Sequence, residues 1–220
     1  MLSLLHTRIQ TIQDIIEQLT TESVTLMVAS KYHSIDTIWA AHQAGLINFG
    51  ENTLQGALPK IKALQNTPIQ WHFIGRLQSN KIKKIGTYFD WVHTATSLTD
   101  LIQLNAAAHH RDTPLNVCIQ VGLYDAVHQR HCPLAQTTSL IESAQSLPYI
   151  QLRGFMYLPM KNTSALNTSF QTVAQHYQTL KHMTPDLDTL CMGMSQDYTV
   201  AIQAGANMVR LGRAILGEPT

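Results

Sequence analysis

Two residue groups in this 220-residue chain have the types and placement needed for carbonyl chemistry on a phosphorylated molecule. The first is Lys31, which follows the apolar run Val24-Thr-Leu-Met-Val-Ala-Ser30 just where polar residues begin. A lysine at the carboxyl end of a buried strand stands where parallel barrels keep their chemistry. Apolar surroundings there would disfavour the ammonium form and leave more neutral amine to attack an aldehyde. The second group is Val209-Arg210-Leu211-Gly212-Arg213, in which Gly212 lets backbone approach an anion and Arg213 adds charge. Together they fit a phosphorylated aldehyde held as a Schiff base.

Other segments supply candidate contacts. Gly193-Met-Ser195-Gln-Asp197 closes a strand and opens a helix, with Ser195 or Asp197 at the N-cap position. Capping alone would explain the serine, yet barrels frequently bind phosphate with the loops after strands seven and eight. Arg210 has the apolar neighbours Met208, Val209 and Leu211, so its guanidinium must reach the barrel mouth or meet a buried acid. Beneath a pyridine ring it would donate to the ring nitrogen and oppose its protonation. Phe49-Gly-Glu51-Asn52 and Trp71-His72-Phe-Ile-Gly75 end at the same rim. Asn52 could bond a ring substituent and His72 could line the pocket, although a core histidine is the commoner fate of such a residue. Ser79-Asn-Lys81-Ile-Lys83-Lys84 reads as a solvated helix face.

The elements that must position these groups follow from periodicity. Leu5, Ile9, Ile12, Ile16 and Leu19 place an apolar stripe on an opening helix. Strand-like runs follow at Val24–Ser30, Ile47–Phe49, Gln70–Ile74, Trp91–His93, Asn116–Val121, Gln151–Met156, Thr189–Met192 and Asn207–Leu211. Amphipathic segments lie between them, among them Ile35–Ala44, Leu98–Ala108, Ala135–Ser146, Ser169–His182 and Tyr198–Ala204. The expected fold is α/β, a single-domain (β/α)8 TIM barrel with an extra N-terminal helix. No Gly-x-Gly-x-x-Gly follows the first strand, which argues against a nicotinamide-binding Rossmann domain. No linker or composition change divides the chain, so residues 1–220 are expected to form one domain.

Composition excludes several classes. Fifteen basic and fourteen acidic residues give a net charge of +1, no electrostatic reason for a nucleic-acid or membrane partner. The amino terminus lacks the basic flank and long apolar segment of an export signal. Cys118, Cys132 and Cys191 are odd in number and far apart, which fits a reducing cytoplasm rather than a disulfide framework. Eleven histidines are present, yet His109-His110 and His128 with His131 lack ligand spacing, so no metal site is expected. No Gly-x-Ser-x-Gly elbow or cysteine-centred signature supports a hydrolase.

Val28-Ala-Ser-Lys31, Phe49-Gly-Glu-Asn52, Trp71-His-Phe-Ile-Gly75, Leu77-Gln-Ser-Asn-Lys81, Gly193-Met-Ser195-Gln-Asp197 and Val209-Arg-Leu-Gly212 occur in one order along nearly the whole chain. In these motifs the sequence resembles the pyridoxal-phosphate homeostasis proteins, which are similar to the barrel half of fold-type III enzymes such as alanine racemase. The resemblance implies pyridoxal 5′-phosphate held as a Schiff base on Lys31. It implies phosphate contacts from Ser195 and the Gly212–Arg213 turn, and a pyridine-nitrogen contact from Arg210. The loop from Gly122 to His131 departs from the family pattern, as do Thr53, Gly56 and Arg213, the last standing where a threonine is frequent.

In racemases of this fold a second base comes from a separate β-domain, for which these 220 residues hold no segment. The expectation is therefore a cytoplasmic monomer that binds the cofactor reversibly, without strong catalytic activity, and passes it to pyridoxal-phosphate-dependent apo-enzymes. The alternatives are a pyridoxal-phosphate-dependent racemase or lyase using Lys31 as base, and a Schiff-base aldolase acting on a sugar phosphate.

Overall fold

Each apolar run is followed by a helical crossover long enough to return the chain to the same end of the sheet, so the strands pair in parallel. The computed structural model describes residues 2–123, 130–160, 165–184 and 186–218. Its barrel strands are β1 (Thr25–Ala29), β2 (Asn48–Glu51), β3 (Gln70–Phe73), β4 (Trp91–Ala95), β5 (Leu115–Gly122), β7 (Ile150–Tyr157), β8 (Thr189–Met194) and β9 (Met208–Leu211). The two-residue β6 (Cys132–Pro133) adds to the end of β5. Pairing runs from β1 through β2, β3 and β4 to β5, then through β7 and β8 to β9, which pairs β1 again. The ring is the expected eight-stranded barrel. The strand-five loop singled out above lies outside the described residues from 124 to 129, His128 included.

Strand alternation divides the core. Met27, Trp91, Cys118, Met156, Cys191 and Met208 form a cluster inside the barrel, while Val28, Phe49, Phe73 and Val92 face outward into the larger layer under the helices. Helix α1 (Leu2–Leu19) buries Leu5, Ile9, Ile12 and Ile16, the stripe expected from its spacing. It packs on α2 (Ile35–Gln43), α8 (Tyr198–Gln203) and α9 (Arg213–Leu216). The remaining helices are α3 (Leu54–Ala63), α4 (Ser79–Tyr88), α5 (Leu98–Ala108), α6 (Thr137–Ala144) and α7 (Leu166–Met183). Ser34, Thr53 and Ser97 cap α2, α3 and α5 with side-chain oxygens that accept backbone N–H groups. Lys81, Lys83 and Lys84 stay exposed on α4 while Ile82 and Ile85 are buried.

One irregularity shapes the barrel floor. Val117 pairs Leu152 and Cys118 pairs Gly154, so Arg153 is the extra residue of a bulge in β7. The bulge leaves Arg153 stacked on Trp91, its Cζ 4.7 Å from the ring centroid. The guanidinium also donates to Asn116 Oδ1 at 2.6 Å and pairs with Asp188. Gly154 makes this possible: its φ is 142°, and a Cβ there would sit 1.9 Å from the Thr189 carbonyl oxygen. Since that neighbour is backbone of the paired strand, Gly154→Ala is expected to destabilise the fold by about 3 kcal/mol, seen as a lower urea midpoint.

Candidate functional site

Lys31 lies two residues beyond Ala29, the last residue of β1, in a turn closed by His33 N–H donating to Ser30 O at 3.1 Å. Tyr32 occupies the left-handed region with φ of 67°, the only non-glycine residue to do so among those described. This turn lifts Lys31 out of the barrel. The lysine is exposed, with Nζ 5.8 Å from the Tyr32 ring centroid. The expectation of an amine desolvated by apolar neighbours is therefore corrected, because the apolar run stops before the residue that carries the amine.

Beneath the turn is a buried ion pair. Glu51 closes β2 with 2% exposure, and its Oε1 accepts from Lys60 Nζ and from Ser30 Oγ, both at 2.7 Å. Lys60 Nζ also donates to the Ser30 carbonyl at 2.9 Å. In the sequence Glu51 stands within the Phe49–Asn52 motif with no role of its own, and Lys60 stands in no motif. A signal existed, since Lys60 shares the buried face of α3 with Leu54, Ala57 and Ile61, and a lysine there needs an acid.

Two anion-competent turns stand on the same rim. Gly193 has φ of 95° where β8 runs into α8. Ser195 is exposed in the turn that follows, and Asp197 Oδ1 accepts the Met194 N–H at 2.6 Å. Asp197 precedes α8 without bonding its amides through the side chain, and Ser195 does not cap it either, so the expected cap is replaced by a backward bond. Gly212 joins β9 to α9, and a Cβ there would lie 3.2 Å from Ala29 O, against β1. Arg213 is exposed, 3.4 Å from Glu218 Oε1. Asn52 is exposed after β2, and its carbonyl oxygen would lie 1.7 Å from a Cβ on Gly75, so the β2 and β3 ends meet backbone to backbone. An open recess of about 180 Å³ continues the rim past β3, lined by Ile74, Arg76, Thr94, Gln120, Arg130 and Leu158 among others. A wider depression of about 570 Å³ lies between α1 and the Ala44–Leu46 segment, at the barrel's opposite end.

Two of the predicted residues lie inside the barrel. Arg210 is 5% exposed and meets no acid among the described residues; it donates to the Cys191 carbonyl at 3.0 Å, the Tyr157 carbonyl at 2.9 Å and Cys191 Sγ at 3.2 Å. Carbonyl dipoles thus replace the buried carboxylate that the sequence reading allowed. His72 is fully buried, in the core position that is the commoner fate of such a residue, with Nε2 3.0 Å from Asn48 Oδ1 and Nδ1 2.9 Å from His93 Nε2. Since the Asn48 oxygen only accepts, His72 carries its proton on Nε2 and takes the His93 proton bond on Nδ1. His93 Nδ1 is left as an acceptor with no partner among the described residues. Both rings stack on Trp91. Burial pulls His72 down to about 3, and burial, His72 and Arg210 hold His93 well below its ordinary value. Burial pushes the Cys118 and Cys191 thiols up.

Residues 2–219 match the family described as alanine racemase, N-terminal domain. The pyridoxal phosphate homeostasis protein of Pasteurella multocida is 40% identical over 202 residues, 89% of this chain and 86% of that protein. The chain belongs to this family of pyridoxal phosphate homeostasis proteins. The Escherichia coli K12 member is 38% identical over 202 residues, with 89% and 86% covered. Among solved structures, PipY of Synechococcus elongatus with pyridoxal phosphate bound superposes with a TM-score of 0.86 at 29% identity, covering 97% of this chain and 100% of that one. D-threonine aldolase from Filomicrobium marinum shares the fold at 12% identity, TM-score 0.77, with 97% of this chain and 60% of that one covered.

The neutral histidines predict a pH dependence. An unfolded histidine titrates near about 6.5, while folded His72 stays neutral down to about 3. Between these values the unfolded chain holds the extra proton, so stability falls as pH falls. Lowering pH from about 6.5 to about 5 is expected to cost about 2 kcal/mol through His72 alone. Urea denaturation at the two pH values measures this, and His72→Gln is expected to show a correspondingly shallower dependence.

Proposed function

We propose that the chain binds pyridoxal 5′-phosphate at the carboxyl-terminal mouth of the barrel, with Lys31 Nζ bonded to the aldehyde carbon. This reversible store contributes to intracellular vitamin B6 and amino-acid homeostasis without strong catalytic activity. The observation that carries the reading is the adjacency of β1 and β9, with Val28 opposite Leu211 and Gly212 against Ala29. It sets the amine-bearing turn beside an anion-competent turn.

The donor set matches the group: a primary amine, an exposed hydroxyl on Ser195, a guanidinium on Arg213 and helix-start amides after Gly212. When bound, the cofactor supplies an aldehyde and an electron-accepting pyridine ring. Lys31 would hold the aldehyde carbon through Nζ, with one water released on binding and taken up again on release. Ser195, Gly212 and Arg213 would hold the phosphate, and Asn52 would bond a ring substituent. Arg210 would hold the ring-nitrogen side, and a permanent cation there opposes protonation and weakens carbanion stabilisation. His72 supports the neutral wall beneath. Residues 1–220 act as one unit, a monomer in the cytoplasm that passes its cargo to apo-enzymes. No described helix is long and apolar enough to cross a membrane.

The purified chain loaded with pyridoxal 5′-phosphate is expected to be yellow, with an imine absorption band that Lys31→Ala abolishes and borohydride fixes on Lys31. A band that persists in Lys31→Ala would overturn the attachment. Loss of α-deuterium from amino acids, faster than with the free cofactor and dependent on Lys31, would establish an enzyme instead of a store.

A further inference from the structure

We infer that the buried Glu51–Lys60 pair positions Lys31 by holding the strained Ser30–His33 turn, a role that rests on Lys31 being the attachment point. Ser30 is fully buried and fixed at three atoms. Its N–H donates to Gly50 O at 3.0 Å, its hydroxyl to Glu51 Oε1 at 2.7 Å, and its carbonyl accepts from Lys60 Nζ at 2.9 Å. That carbonyl belongs to the peptide plane joining Ser30 to Lys31, so the contacts set the direction in which the Lys31 side chain leaves the barrel.

The same carbonyl accepts His33 N–H at 3.1 Å, closing a turn with Lys31 and Tyr32 at its central positions. Tyr32 has φ of 67°, in a region that an L side chain adopts only when surroundings impose it. Tyr32 is 79% exposed, so packing of its own side chain does not impose this backbone. The imposition comes from below, where Glu51 and Lys60 are 2% and 8% exposed and cannot separate without leaving a buried charge alone. His33, 6% exposed, closes the other side, and its pKa is lowered by burial and then by Lys60. An ammonium on α3 and a carboxylate on β2 thus converge on Ser30, just beyond β1, more apparatus than a surface turn requires. Glu51 and Lys60 are positioning residues, acting through Ser30 on Lys31.

Lys60→Met tests this in the full chain, with Tyr32→Gly as a partner substitution that removes the strain. Lys60→Met is expected to weaken pyridoxal 5′-phosphate binding about tenfold or more, and in cofactor-free protein to accelerate hydrogen exchange at the His33 amide. Tyr32→Gly in the Lys60→Met background is expected to recover most of the affinity, since glycine accepts this backbone without help. Equal loss in the single and double variants would overturn the inference, as would Lys60→Met affinity within about twofold of the unaltered chain. Should Lys60→Met fail to fold, Ser30→Ala keeps the ion pair but removes the hydroxyl link, and unchanged affinity and His33 exchange there would equally overturn it. Lys31→Ala separates the two readings: an imine band surviving that substitution defeats the attachment, while the cofactor-free exchange measurement still decides the turn.

Discussion

β1 and β9 are the first and last strands of the barrel, and their register, Thr25 opposite Met208 through Val28 opposite Leu211, is the constraint on which the mouth depends. The pairing brings together segments nearly the whole chain apart, so it carries a loop-closure cost that local contacts cannot offset. Side-chain alternation makes the register all-or-none: a slip of one residue in β9 would send Arg210 outward and Val209 into the interior. Against that penalty stand the internal cluster with Met27 and Met208 and the outer layer with Val28, Val209 and Leu211. Fixing the register also fixes the distance between the turns after Ala29 and Leu211, and hence the span across which amine and anion site cooperate.

The interior that supports this register is unusually polar for a barrel core, and its polarity is made tolerable by neutrality. His72 and His93 are held uncharged by burial and chained to Asn48, and Arg210 alone keeps a full charge at that level. Its donors go to carbonyl oxygens of β7 and β8, so the cation is stabilised by dipoles that cannot titrate. Neutral histidines suit that arrangement, since a second cation nearby would have no acid among the described residues to balance it. On the floor the solution differs: Arg153 meets Asp188 and the Trp91 face, where the bulge brings solvent and a carboxylate within reach.

Much of this was legible from sequence. The eight strands, the opening helix and the rim positions of Lys31, Ser195 and Gly212 follow from apolar runs and their endings, because a parallel strand buried on both sides must be apolar and must stop being so at its end. What escaped depends on neighbours far apart in sequence. Sequence leaves His72 between pocket lining and core because strand position alone does not tell which partners a side chain meets; Asn48 and His93, on the flanking strands, supply them. For Arg210 the sequence leaves open the barrel mouth or a buried acid, and its carbonyl partners are invisible there because every residue carries one. The ends of β4 and β7 ran past the expected limits, since Thr94 and Tyr157 are polar in type yet buried in place. The short β6 and α9 carry too few residues for any period to show.

The exposure of Lys31, contrary to the desolvated amine first expected, bears on what kind of protein this is. An enzyme that stabilises a carbanion gains from a closed site, because excluding water strengthens each fixed charge and protects the intermediate. A store gains from the reverse, since the bond it makes must remain open to water or to a competing amine. Under the proposed attachment, a lysine lifted onto the rim by a left-handed turn suits the second case. Rigidity then matters more than burial: an exposed side chain samples many rotamers, and each bond that fixes its backbone reduces the entropy lost when it meets its partner. The Ser30 contacts apply that economy to the one residue whose direction counts.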